Sequence, residues 1–136
     1  MHTTLLDTGP IIAWLRARDP DHRPSAGAIA DRARRGRLAT IWEVVGEAYT
    51  VMRRRADARS ALRVLDWANT VDRLPVEPSD RDRCQELLRR HPDLRLSYVD
   101  ALLLAVAERL PARELLTLDA ELSAVRLRSG LLVTVL

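Results

Sequence analysis

Apolar and polar positions along the chain switch repeatedly between a period of two and a period near 3.6. His2 to Asp7 reads as a short strand that ends on an acid. Thr8-Gly9-Pro10 punctuates; Pro10 suits the first turn of a helix, and Ile11, Ile12, Trp14 and Leu15 follow at helical spacing. Asp19-Pro20-Asp21 breaks that helix. A second, polar helix is predicted from His22 to Arg35, with Ala26, Ile29, Ala30 and Ala33 as its apolar stripe and Gly36 as its stop. Arg37 to Ile41 is the next strand. Trp42 to Arg54 has helical periodicity through Val44, Val45, Ala48, Val51 and Met52, and another helix covers Ala56 to Thr70. Leu74 to Pro78 reads as a brief strand, confined by its prolines to a sheet edge. Ser79 or Asp80 caps a helix that runs to Arg90, and Ser97 opens a strongly apolar helix, Tyr98 to Leu110. Glu114 to Leu118 is a strand, again followed by an acid, Asp119. A short helix, Gly130 and a last strand from Leu131 to Leu136 close the pattern.

Strands that alternate with helices define an α/β protein whose parallel sheet is covered on both faces. In such sheets the functional site lies outside the carboxyl ends of the strands. Asp7 and Asp119 each stand at such an end.

At 136 residues the chain is expected to be a single domain, 1–136, able to bury a core without disulfides. The lone Cys84 fits a reducing compartment. No apolar run approaches the roughly 20 residues that span a bilayer, and the N-terminus lacks the pattern of a signal peptide. A cytoplasmic location with no membrane partner is the expectation. The formal charge is +3, and all 22 basic residues are Arg. Arg suits phosphate recognition. The absence of Lys excludes a Walker A phosphate loop and a receiver-type phosphoacceptor domain, both of which need one.

The acids carry the candidate chemistry, and each suits two roles. Asp7 serves as a helix N-cap or as a metal ligand at the sheet's carboxyl edge. Asp100 completes a capping box with Ser97, yet its neighbours Val99 and Ala101 to Ala107 are apolar, and a buried carboxylate needs a partner or a metal. Glu43 and Glu47 lie one turn apart; Glu47 flanks the apolar stripe and is the better candidate. Asp119 caps or ligates, with Glu121 two positions on. Clustered carboxylates raise one another's pKa values, and a hard cation with oxygen preference resolves that conflict. Such an ion activates water for phosphodiester cleavage. Neither a nucleophile–histidine set nor zinc-ligand spacing competes; His2, His22 and His91 occupy the N-terminus and loop-like stretches. The residues alone specify a phosphodiester and leave RNA and DNA open.

Four segments resemble the PIN-domain nucleases in order and spacing. They are Leu5-Leu6-Asp7-Thr8-Gly9-Pro10, then Leu38 to Ile41 with Glu47-Ala48-Tyr49-Thr50, then Leu96 to Ala101, then Leu116 to Asp119. The resemblance implies a three-layer α/β/α PIN-like fold with a short parallel sheet of about four to five strands. It implies a ribonuclease that uses Mg²⁺ or Mn²⁺, with Asp7 and Asp100 as main metal ligands and Glu47 and Asp119 completing the shell through water. The Thr8 hydroxyl would assist. It is similar to the VapC toxins among these, which implies a homodimer silenced by a small cognate antitoxin protein. Leu122 stands where many members carry an aromatic residue. The alternative is a PIN-like module that binds RNA or a partner without cleaving.

Overall fold

A computed structural model of the chain describes residues 2–110 and 112–136. Strand β1 (His2–Leu6) leads into helices α1 (Thr8–Leu15) and α2 (His22–Arg35). Strand β2 (Gly36–Thr40) follows without a loop, then α3 (Trp42–Arg55) and α4 (Ala58–Ala68). A two-residue strand, β3 (Asp72–Arg73), precedes α5 (Pro78–Arg90) and α6 (Tyr98–Arg109). Strand β4 (Glu114–Thr117), a 3₁₀ turn (Ala120–Ala124) and β5 (Leu132–Val135) complete the order.

The five strands form one parallel sheet in the order β3-β2-β1-β4-β5. From β1 the chain winds outward to β2 and β3, then returns to the other side of β1 to lay down β4. Crossovers between parallel strands are right-handed. The α1–α4 group therefore covers one face and α5 with α6 the other, giving the three layers. The winding reverses between β1 and β4, which is the topological switch point where such sheets hold their sites.

Burial follows the layers. Leu5, Leu6, Leu115 and Leu116 of the central strands are fully buried, as are Leu102, Leu103 and Leu104 of α6. Every residue from Ala101 to Ala107 is buried, so α6 sits in the interior on almost all sides, as its apolar run predicts. Gly36 allows α2 to pass straight into β2. It pairs with His2, and a Cβ at position 36 would lie 2.0 Å from the His2 carbonyl oxygen.

Two local expectations are corrected. The strand expected over Leu74–Pro78 forms two residues earlier, at Asp72–Arg73. The Leu74 amide makes one more rung, to the Thr40 carbonyl at 2.8 Å, and Pro75 has no N–H to continue it. Helix α5 opens at Pro78 with Glu77 as its cap, two residues before Ser79 and three before Asp80, the expected caps; Asp80 instead accepts from the Glu77 amide at 2.8 Å. The short helix expected after Asp119 is present, as a 3₁₀ turn.

Candidate active site

The carboxyl ends of β1 and β4 open into a cavity of about 500 Å³ whose lining includes Asp7, Glu47, Asp100 and Asp119. All four acids singled out from the sequence thus face one space. Glu43 lies elsewhere: its carboxylate stands 4.0 Å from Arg81. The choice between two glutamates a turn apart is made by the row Glu47, Val51 and Arg55, which follows one face of α3 into the cavity wall.

The capping roles are real and do not compete with the cavity. Asp7 caps α1: its Oδ1 accepts from the Thr8 amide at 2.8 Å, and its Oδ2 accepts from the Thr117 hydroxyl at 2.7 Å. The Asp7 amide bonds the Leu116 carbonyl at 3.0 Å, which locks β1 to β4 at this point. Asp100 and Ser97 form the expected reciprocal box, both bonds at 3.0 Å. Asp119 Oδ1 accepts from the Glu121 amide at 3.0 Å. Caps hold the carboxylates in place and leave lone pairs free toward the cavity.

Electrostatically the cluster is under-compensated. Among the described residues, none of these four acids has a basic side chain within 4.0 Å. Asp7 is 5 % exposed. Burial, with the charges of Asp100 and Glu47, pushes its carboxyl up to about 6 against the Thr117 and Thr8 hydrogen bonds. Burial also raises Asp100, helped by the charges of Asp119 and Glu121. Burial raises Glu47 too, and the Asp100 charge adds to it. The nearby Thr8 hydroxyl works the other way on Glu47, but Thr8 Oγ1 is buried without a full hydrogen bond.

This donor set fits a hard divalent cation. It is all oxygen and excess negative charge, and it includes an orphaned hydroxyl at the cavity wall. Among the described residues, no three carboxylate, imidazole or thiol groups stand close enough to grip one ion directly. Mg²⁺ keeps several waters and takes one or two carboxylates, a requirement that a wider ring meets.

Two functional neighbours escape a residue-by-residue reading. Thr117 orients Asp7 and also accepts from the Asp119 amide at 3.0 Å, so one hydroxyl ties two of the acids together. Its signal is placement two residues before Asp119 on a strand. Arg55 brings a positive charge to the cavity rim, and its signal is the spacing of eight from Glu47 along α3.

The PIN domain family model matches residues 4–127, and the chain belongs to that family. Among solved structures the chain is similar to the VapC toxins of VapBC toxin–antitoxin systems. Mycobacterium tuberculosis VapC20, a sarcin–ricin loop cleaving toxin, is 26% identical, with 89% of this chain and 93% of that one covered and a TM-score of 0.79. VapBC2 from Rickettsia felis, bound to a DNA fragment from its promoter, is 15% identical over 98% of each chain with a TM-score of 0.76. VapBC-5 from Mycobacterium tuberculosis is 20% identical over 100% of each chain at 0.68. A comparison with curated protein sequences finds no match.

Proposed function

We propose that the chain, acting as one PIN domain over residues 1–136, is a Mg²⁺- or Mn²⁺-dependent endoribonuclease and the toxin of a toxin–antitoxin pair. The observation that carries the reading is the cavity in which Asp7, Glu47, Asp100 and Asp119 meet without a basic partner, with Asp7 raised to about 6. Asp7 and Asp100 would hold the metal, with Glu47 and Asp119 reaching it through water. Bound there, the ion would lower the pKa of a water and offset charge on the phosphodiester in the transition state. Thr117 holds Asp7 in one orientation, and the Ser97 box does the same for Asp100. Glu47 and Asp119 are the groups positioned to take a proton from an attacking water.

RNA as substrate is supported by the 26% identical relative that cleaves the sarcin–ricin loop. A small cognate antitoxin protein is supported by the VapBC neighbours. We further propose a homodimer and a cytoplasmic location. No helix among the described residues is long and apolar enough to cross a membrane.

The test is cleavage of a mixed RNA pool by purified protein with Mg²⁺, with Mn²⁺ and with EDTA, beside Asp100→Asn. The variant keeps the capping box, so it should melt with the wild type while cleavage disappears. Wild-type protein that is inert with either ion, or an equally active variant, overturns the reading.

A further inference from the structure

A second cavity, of about 380 Å³, lies beside the carboxylate site and has the opposite character. Its walls come from the end of α1, the turn after it, the end of α3 and the start of α4, and they carry Arg16, Arg18, Arg55 and Arg63. Arg55 belongs to both cavities, so the two are neighbours across one side chain. Among the described residues, none of these four arginines has a carboxylate within 4.0 Å. Asp57 is the acid in the wall, and its Oδ1 is engaged as the cap of α4, accepting from the Ser60 amide at 2.7 Å.

Four arginines line this cleft with one acid, Asp57, among them, and a bound anion would offset the excess positive charge. A strand whose scissile phosphate lies among the carboxylates must carry its next phosphates outward, and beyond Arg55 the path enters this cleft. We propose that Arg16, Arg18, Arg55 and Arg63 form a backbone-binding track that holds the phosphates of single-stranded RNA on one side of the bond to be cut. The proposal rests on the nuclease reading for its substrate, and on the cleft alone for its place. The carboxylates by themselves would repel a polyanion; the arginines supply the attraction that brings it to them. Because the contacts are to phosphates, the track gives affinity and direction and leaves base preference to other residues.

The experiment measures binding of fluorescein-labelled octauridylate by anisotropy in EDTA, at several salt concentrations, so that binding is read apart from cleavage. The variants are Arg16→Ala/Arg63→Ala, the charge-keeping Arg16→Lys/Arg63→Lys, and Asp100→Asn. Each single-strand phosphate contact contributes about 0.7 to the slope of log K against log salt. The double alanine variant should bind roughly tenfold more weakly near 0.1 M salt, with a slope lower by about 1.4. The lysine variant should keep the slope, and Asp100→Asn should bind at least as well as wild type. Unchanged affinity and slope in the double alanine variant, with an unchanged melting temperature, overturn the track. Arginine-dependent binding by a wild-type protein that cleaves no RNA with either metal sinks the nuclease reading and leaves the track standing. Metal-dependent cleavage with arginine-independent binding does the reverse.

Discussion

Asp7 and Asp80 are both buried aspartates in the first turn of a helix or its cap, and they are balanced in opposite ways. Asp80, 2 % exposed, receives the Arg109 guanidinium through two hydrogen bonds of 2.8 and 2.9 Å. Burial alone would raise its pKa, but Arg109 and the Glu77 amide more than reverse this and hold it below the ordinary aspartate value. Beside it Arg83 is paired with Glu108 at 2.8 Å, and Arg128 reaches Glu86 at 3.1 Å. That side of the molecule, where α5 packs on α6, is neutralised internally. Asp7 has only neutral donors, and the charges around it are other carboxylates. A buried charge with its counter-ion built into the chain serves the fold; a buried charge without one leaves room for an ion from solution.

The contrast is open to attack in several ways, and the largest effect falls on cleavage. Asp7→Asn keeps the cap and one bond to Thr117 but removes the ligand, and should lower metal-dependent RNA cleavage by about 10²-fold or more. Asp80→Asn should take from Arg109 the closer of its two acids, leaving it Glu77 at 3.4 Å, and cost about 2–3 kcal/mol. That corresponds to a fall in Tm of roughly 8–12 °C, read by circular dichroism. Equal melting of the two asparagine variants would erase the distinction drawn here.

The third effect is a pH dependence of opposite sign. The folded pKa of Asp7 lies above its unfolded value, so its contribution to stability is complete below about 3.8 and is lost as pH rises through about 6. Without metal, the wild type should gain stability as pH falls from 8 to 5, by about 1–3 kcal/mol for this group, and Asp7→Asn should flatten that gain. Asp80 has a depressed pKa, so its contribution is present above the ordinary aspartate value and disappears only as pH falls through the lower folded one. Thermal melts from pH 4 to 8 in EDTA, with and without added Mn²⁺, check both signs; Mn²⁺ should raise the high-pH melts of the wild type alone. The smallest effect separates the two glutamates. Glu47→Gln should reduce cleavage by about tenfold, whereas Glu43→Gln should change it by less than about twofold, since its partner is a half-exposed Arg81.

Much of this arrangement is legible in the residues. Strand ends at Asp7 and Asp119 are marked by the switch from apolar run to acid, and parallel topology brings both to one edge. Asp100 is betrayed by the apolar company it keeps on α6. The strand at Asp72–Arg73 is invisible by pattern, because two charged residues carry no alternation. It is held by partners on other elements: Arg37 of β2 forms an ion pair with Asp72, and the Arg73 guanidinium lies 5.3 Å from the centre of the Trp42 ring on α3. Taken one residue at a time, capping and a place in the site look like alternatives for Asp7 and Asp100, whereas each carboxylate caps its helix and still lines the cavity. The arginine track is equally hidden, since Arg16 and Arg63 become neighbours only when α1 meets the α3–α4 hairpin. Arg53 and Arg54 share the same run as Arg55 and do not line either cavity.

The hydrogen bond from Thr117 to Asp7 spans 110 positions. Asp7 is synthesised well before Thr117, and its cavity has no far wall until β4 is made and paired. At a translation rate of about 5–20 residues per second, that interval is roughly 5–20 seconds. Long-range parallel pairing is also among the slower steps of folding. A nascent chain that has made β1 but not β4 therefore carries an incomplete carboxylate ring, and under the proposed function it would not cut the RNA around it until the two distant strands meet.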